Sequence, residues 1–132
     1  MRADASAILI FMGYRPISDF VLSQESTGVA LIWLAQSARP TDAAIDAAAL
    51  PTVKSARIAA INAECRSRLL ARYGPAEEQV SRSIGVYGSA EKTAMEVGIA
   101  ATVDASNTAS NAVISAATEA AVGAVSVSWP VI

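Results

Sequence analysis

Histidine is absent from this chain, and cysteine occurs once, at Cys65. The first absence removes the commonest general base and the commonest metal ligand together. A single thiol allows no intrachain disulfide and leaves a zinc site without ligands. Cys65 falls on an apolar helical stripe, where a buried, inert thiol is expected. The seven glycines are scattered, and none forms a phosphate-binding loop. Carboxylates stand singly (Asp4, Asp19, Asp42, Asp46, Asp104) or as Glu77-Glu78, so no acid pair suited to hydrolysis is in view. Serine and threonine are plentiful, but no base stands beside them in an activating role. Catalytic residues, cofactors and metal ligands are therefore not expected.

Two further scarcities narrow the partners. Aromatic residues are 5% of the sequence, and none interleaves with Arg66, Arg68 and Arg72 as base stacking would require. Long apolar runs are missing too. Residues 7–12 form the longest near the start, too short to span a bilayer or to serve as a full signal peptide. The expectation is a soluble, untargeted protein made in a reducing cytosol, with neither nucleic acid nor membrane as partner. Net charge is −2, so no field of the whole molecule attracts polyanions. Charge is nonetheless uneven: Lys54, Arg57, Arg66, Arg68, Arg72, Arg82 and Lys92 face only Glu64, Glu77, Glu78 and Glu91 in one stretch. Such a stretch is a solvated helix face or a contact for an acidic partner.

What the sequence has in plenty is alanine, which supplies much of its 53% apolar content. Alanine favours helix but buries little area, so helices should approach closely and release modest hydrophobic energy. The fold class expected is mainly α with a small β part (α+β). A short helix through residues 7–12, capped by Asp4 or Ser6, ends near Gly13. Residues 19–24 and 29–34 are β-favouring runs separated by Glu25-Ser26-Thr27-Gly28, a hairpin pattern. The second run is nearly all apolar, which requires cover on both faces. Thr41 caps an Ala-rich helix to about Ala49; Pro51 then punctuates, and Thr52 caps again. From Val53 the residues Ile58, Ile61, Cys65, Leu69 and Tyr73 recur at three and four, a one-sided stripe closed by Gly74-Pro75.

Pro75 opens another helix through Val80, Ile84 and Tyr87, with Glu77 and Glu78 at its positive end. A long Ala-rich helix follows, from Ala90 to about Val122, with Gly98 as its interior weak point. It carries one stripe of Met95, Ile99, Val103, Ser106, Ser110, Val113 and Ala117, and another of Ala105, Ala109, Ala112 and Ala116. After Ala124 the period becomes two: Val125, Val127 and Trp129 alternate with serines, as in a terminal strand ending at Pro130. Residues 1–51 thus form a helix and hairpin docking module, and residues 52–132 a helical segment with a C-terminal strand. Candidate partner-binding residues are Phe20, Leu22 and Trp33 on the hairpin, Val125, Val127 and Trp129 on the terminal strand, and Ile99, Val103 and Val113 on the long helix. Trp33 is a core anchor or an interface anchor; the strand covers this chain's own hairpin or joins a partner's sheet.

The order of these features resembles that of the small tail-region proteins of phages and defective prophages, the XkdW-like group. The matching positions are Tyr14, Pro16, Gly28, Trp33, Pro40 and Thr41, and residues 59–65 (AAINAEC) are similar to the INAEC helix of phage proteins encoded beside tail-fibre genes. The likeness covers most of the first 75 residues. It implies a virion location at the tail and a non-catalytic role: a hinge or adaptor between baseplate and tail fibre, partnered by those proteins. Because fibres are commonly trimeric, it also implies a homo-oligomer, a trimer first. A fibre-assembly chaperone outside the virion is the alternative. A phage protein associated with DNA or a repressor through the Arg66–Arg72 face is a weaker third reading.

Overall fold

The alanine-rich sequence folds mainly into helix, with one two-stranded antiparallel sheet. The computed structural model describes residues 2–132, and the chain forms two compact units, Met1–Thr52 and Val53–Ile132.

In the first unit, α1 (Ala5–Phe11) buries Ala5, Ile8 and Leu9, spaced three and one apart on one face. Asp4 heads this helix, but its carboxylate does not cap it. The carboxylate instead accepts from the Arg2 guanidinium (Nη2–Oδ2 3.0 Å), and that hydrogen bond holds its pKa below the ordinary carboxylate value. Arg2 also reaches Asp46 at 3.1 Å. The hairpin pairs β1 (Phe20–Glu25) with β2 (Gly28–Trp33), Phe20 opposite Trp33 and Glu25 opposite Gly28. Its loop is therefore Ser26-Thr27, two residues where the sequence suggested four. Opposite residues share a face. Phe20, Leu22, Leu31 and Trp33 pack with Ile8, Leu9, Ile45 and Ala49 in the core of this unit. The expected cover on both faces of β2 is not found within the unit: Ile32 and Leu34 are each 50% exposed. Within this unit the core side chains of the helices pack with the sheet face that carries Phe20, Leu22, Leu31 and Trp33.

Helix α2 (Asp42–Tyr73) begins as expected, with Thr41 Oγ1 accepting from the Ala44 N–H at 3.1 Å. It does not stop at Pro51. The 32-residue helix runs through the proline, which withholds one N–H from the Ala47 carbonyl but leaves every other bond of the ladder possible. Buried side chains on either side, Ile45 and Ala49 before it and Ile61 and Cys65 after it, hold both stretches helical.

In the second unit, α3 (Ala76–Ser83) is shorter than its apolar spacing suggested. Gly85, at φ +84, takes the chain out of the helix just beyond Ile84. Helix α4 (Ser89–Ser115) buries Met95, Gly98, Thr102, Ser106, Ala109 and Val113. This seam shares Met95, Ser106 and Val113 with the first stripe drawn from sequence and Ala109 with the second, and it adds Gly98 and Thr102. A Cβ there would stand 1.9 Å from Tyr73 Oη and 3.4 Å from Ile132 Cγ2, so glycine is what lets the Tyr73 ring lie against α4. Polar groups on the seam are paired: Thr102 Oγ1 donates to Gly98 O (2.7 Å), and Ser106 Oγ lies 3.2 Å from Asn62 Oδ1.

The single long helix expected to Val122 is two. After Ser115 the backbone opens at Ala116, and α5 (Glu119–Ala124) starts with Thr118 Oγ1 accepting from Ala121 N–H at 3.1 Å. A threonine that can cap competes with helix continuation, and the new direction buries Val122. The expected terminal strand is not formed either. Among the described residues the sheet is β1 and β2, and residues 125–132 pair with neither.

Candidate docking surfaces

Residues 125–132 keep the signature of a strand without a partner. Val125 is extended (φ −67°, ψ 116°). Val125, Val127 and Trp129 are half-buried while Ser126 and Ser128 are exposed, the alternation of an extended segment laid on a surface. The surface is α2. Arg57 Nη2 donates to Val125 O at 2.7 Å, and the Arg68 guanidinium lies 4.9 Å from the centre of the Trp129 ring. Beyond Val125, no backbone N–H or carbonyl of this segment bonds to a described residue.

The hairpin offers a second open surface. Leu34 N–H donates to Asp19 O at 2.9 Å, so by the alternation of an antiparallel ladder the outward backbone groups belong to Phe20, Leu22 and Gln24 on β1 and to Val29, Leu31 and Trp33 on β2. Phe20 O is taken by Ile17 N–H at 2.8 Å. Ile17 holds φ +68 with its side chain 83% exposed. A β-branched residue in that region carries strain of about 1–3 kcal/mol, and the turn that imposes it is fixed by Asp19 Oδ2 accepting from Arg15 N–H at 2.7 Å.

The candidate residues named from sequence divide between core and surface. Phe20 (1% exposed) and Val113 (0%) sit in the cores of their own units, where no partner reaches them. Leu22 and Trp33 pack on the first core, half-buried, and Trp33 stands edge-on to Tyr14 (4.9 Å) with Nε1–H donating to Ser37 O at 2.8 Å. Ile99 is half-buried, whereas Val103 is exposed along a groove. The structure brings Val125, Val127 and Trp129 together on one segment. Sequence reasoning missed Ile17, because nothing in Arg15-Pro16-Ile17-Ser18 announces a left-handed isoleucine.

No protein-family model, curated protein or solved structure matches this chain.

The basic stretch is largely consumed inside the second unit. Lys54 Nζ donates to Ile114 O (2.6 Å) near the carbonyl end of α4, where a cation suits the helix dipole. Arg68 pairs with Glu64 (2.8 Å), and Arg82 pairs with Glu91 (2.8 Å) while lying over Tyr87. Arg72 lies over the Tyr73 ring. Arg66 has no such partner among the described residues. It borders the groove that Val103 lines, a space of about 420 Å³. Among the described residues, no three acidic or cysteine side chains cluster as metal ligands, and no helix is long and apolar enough to cross a membrane.

Proposed function

We propose that this chain is a non-catalytic docking adaptor of a bacteriophage tail, a small hinge-like piece between baseplate and tail fibre. The observation that carries the docking role is the segment 125–132: it has an apolar face, an alternating pattern and unpaired backbone groups. Strand addition to a neighbouring sheet would supply those bonds. The outward backbone groups of β1 and β2 give the first unit a complementary means of joining a partner's strand. The tail setting rests on the resemblance through Tyr14, Pro16, Gly28, Trp33, Pro40 and Thr41.

Mass spectrometry of purified, nuclease-treated particles tests the proposal. A tail adaptor is present in a fixed ratio to baseplate and fibre proteins. If particles lack the chain while infected lysate holds it bound to the fibre protein, the adaptor is refuted and an assembly chaperone takes its place.

A further inference from the structure

Two arginines of α2 hold residues 125–132 at two points. Arg57 Nη2 donates to Val125 O at 2.7 Å, and the Arg68 guanidinium lies 4.9 Å from the centre of the Trp129 ring. Arg57 and Arg68 are eleven residues apart, three turns along nearly the same face of the helix and about 16 Å along its axis. Val125 and Trp129 are four residues apart, about 13 Å in an extended chain. The two spans agree to within the reach of an arginine side chain. The segment therefore lies along α2 in the same direction, pinned at residues 125 and 129.

Neither pin is strong. Arg57 Nε is buried without a hydrogen-bond partner, and a buried donor left unpaired offsets part of what the Nη2 bond contributes. Arg68 donates from Nε and Nη2 to Glu64 Oε1, at 3.0 and 2.8 Å, so α2 itself positions this guanidinium with or without Trp129. Between Arg68, Ala71 and Arg72 on the helix and residues 129–132 lies an open space of about 500 Å³, whereas a packed core leaves few voids larger than a water molecule. Val131 is fully exposed. The chain just before the segment is seated differently: Val122 is 1% exposed, and its carbonyl accepts from Val125 N–H at 3.3 Å. Firm structure ends at Val125, and a loosely held extended run begins there.

We propose that residues 126–132 are a two-state strap, parked on α2 by Arg57 and Arg68 at rest and released in one piece about Val125. Parked, the strap keeps Val125, Val127 and Trp129 half-buried and its serines in solvent, which restrains an unpaired strand from joining other strands indiscriminately. Released, it is free to add to a partner's sheet, whose N–H groups take the place of Arg57 at Val125 O. Release leaves α5 seated through Val122 and α4 through Val113. The purpose of the strap rests on the docking role given to this segment above, but its opening is a property of the free chain.

Nitrogen-15 relaxation of the full chain, with no partner added, is the test. Relaxation dispersion should reveal a minor state, populated at about 1%, at the amides of residues 126–129 and at the Trp129 indole N–H. The amides of Val122 and of residues 61–73 should show none. R57M removes the bond to Val125 O and should raise the minor population about tenfold. R68M removes the guanidinium over the Trp129 ring and should raise it about threefold. In the double variant R57M/R68M the order parameters of residues 126–129 should fall below about 0.6, with those of α4 unchanged. Three results overturn the proposal: a segment as rigid as α2 that ignores both substitutions, a segment already mobile in the parent, or loosening of α4 and α5 together with it. None of these bears on whether particles contain the chain, and a chain missing from particles leaves the strap standing.

Discussion

Gly98 shows how one residue's chemistry can reverse its ordinary effect. In the interior of an exposed helix, replacing glycine by alanine gains about 1 kcal/mol from backbone entropy alone. Here the added methyl group would meet Tyr73 Oη at 1.9 Å and Cζ at 3.1 Å. Tyr73 is 4% exposed and its ring has no open space to swing into without losing that burial. Overpacking of this kind costs about 1–3 kcal/mol, enough to cancel the entropic gain and exceed it. G98A is therefore expected to lower stability by about 1–2 kcal/mol in urea-unfolding midpoints, and G98A/Y73F, which removes the colliding oxygen, to recover most of the loss. An unchanged or raised midpoint for G98A alone would show that Tyr73 moves aside freely.

Among the elements, α2 poses the sharpest physical question, because Pro51 lies in its interior. The Ala47 carbonyl has no N–H to accept at the usual position, so the ladder is weakest one turn around the proline. P51A restores the donor. Amide exchange for residues 48–55 should slow by about tenfold in this variant, with little change in the centre of α4; equal exchange in both proteins would mean that the proline costs the helix nothing. The same helix also marks how far sequence could be followed. Its stripe Ile61, Cys65, Tyr73 and its Thr41 cap are local signals, visible in spacing and in a single side chain, and the hairpin pairing of residues 20–33 is local in the same sense. Continuity through Pro51 was not legible, since it depends on buried contacts flanking the proline. The break after Ser115 and the unpaired course of residues 125–132 were hidden for a related reason. Alanine-rich sequence carries little directional information, so tertiary contacts by Val122, Arg57 and Arg68 decide where the chain goes. Val125, Val127 and Trp129 were identified as one apolar face by their period of two, whereas the groove at Arg66 and Val103 needs α2, α3 and α4 placed together before it can be recognised.

At the scale of the whole molecule, the chain has two hydrophobic centres of different quality. The first unit packs conventional large side chains, Ile8, Leu9, Phe20 and Ile45, within about fifty residues, a size at which a lone domain is marginal. The second relies on Ile61, Tyr73, Met95, Val113 and Val122 together with Gly98, Thr102, Ser106 and Ala109, so close helix approach replaces bulk. Among the described residues, the side chains of the first core belong to the first unit. Damage to that core should therefore remain there. F20A removes the largest fully buried side chain, a change that typically costs about 3–5 kcal/mol in a core, which is comparable to the whole stability of so small a unit. In F20A, amides of β1 and β2 are expected to lose their exchange protection and the Trp33 emission to shift to that of a solvated indole. Amides from Ile61 to Tyr73 and across the centre of α4 should remain protected, because the side chains that bury them are untouched. If protection is lost across both units together, the continuous α2 helix transmits the damage, and the two cores unfold as one cooperative structure.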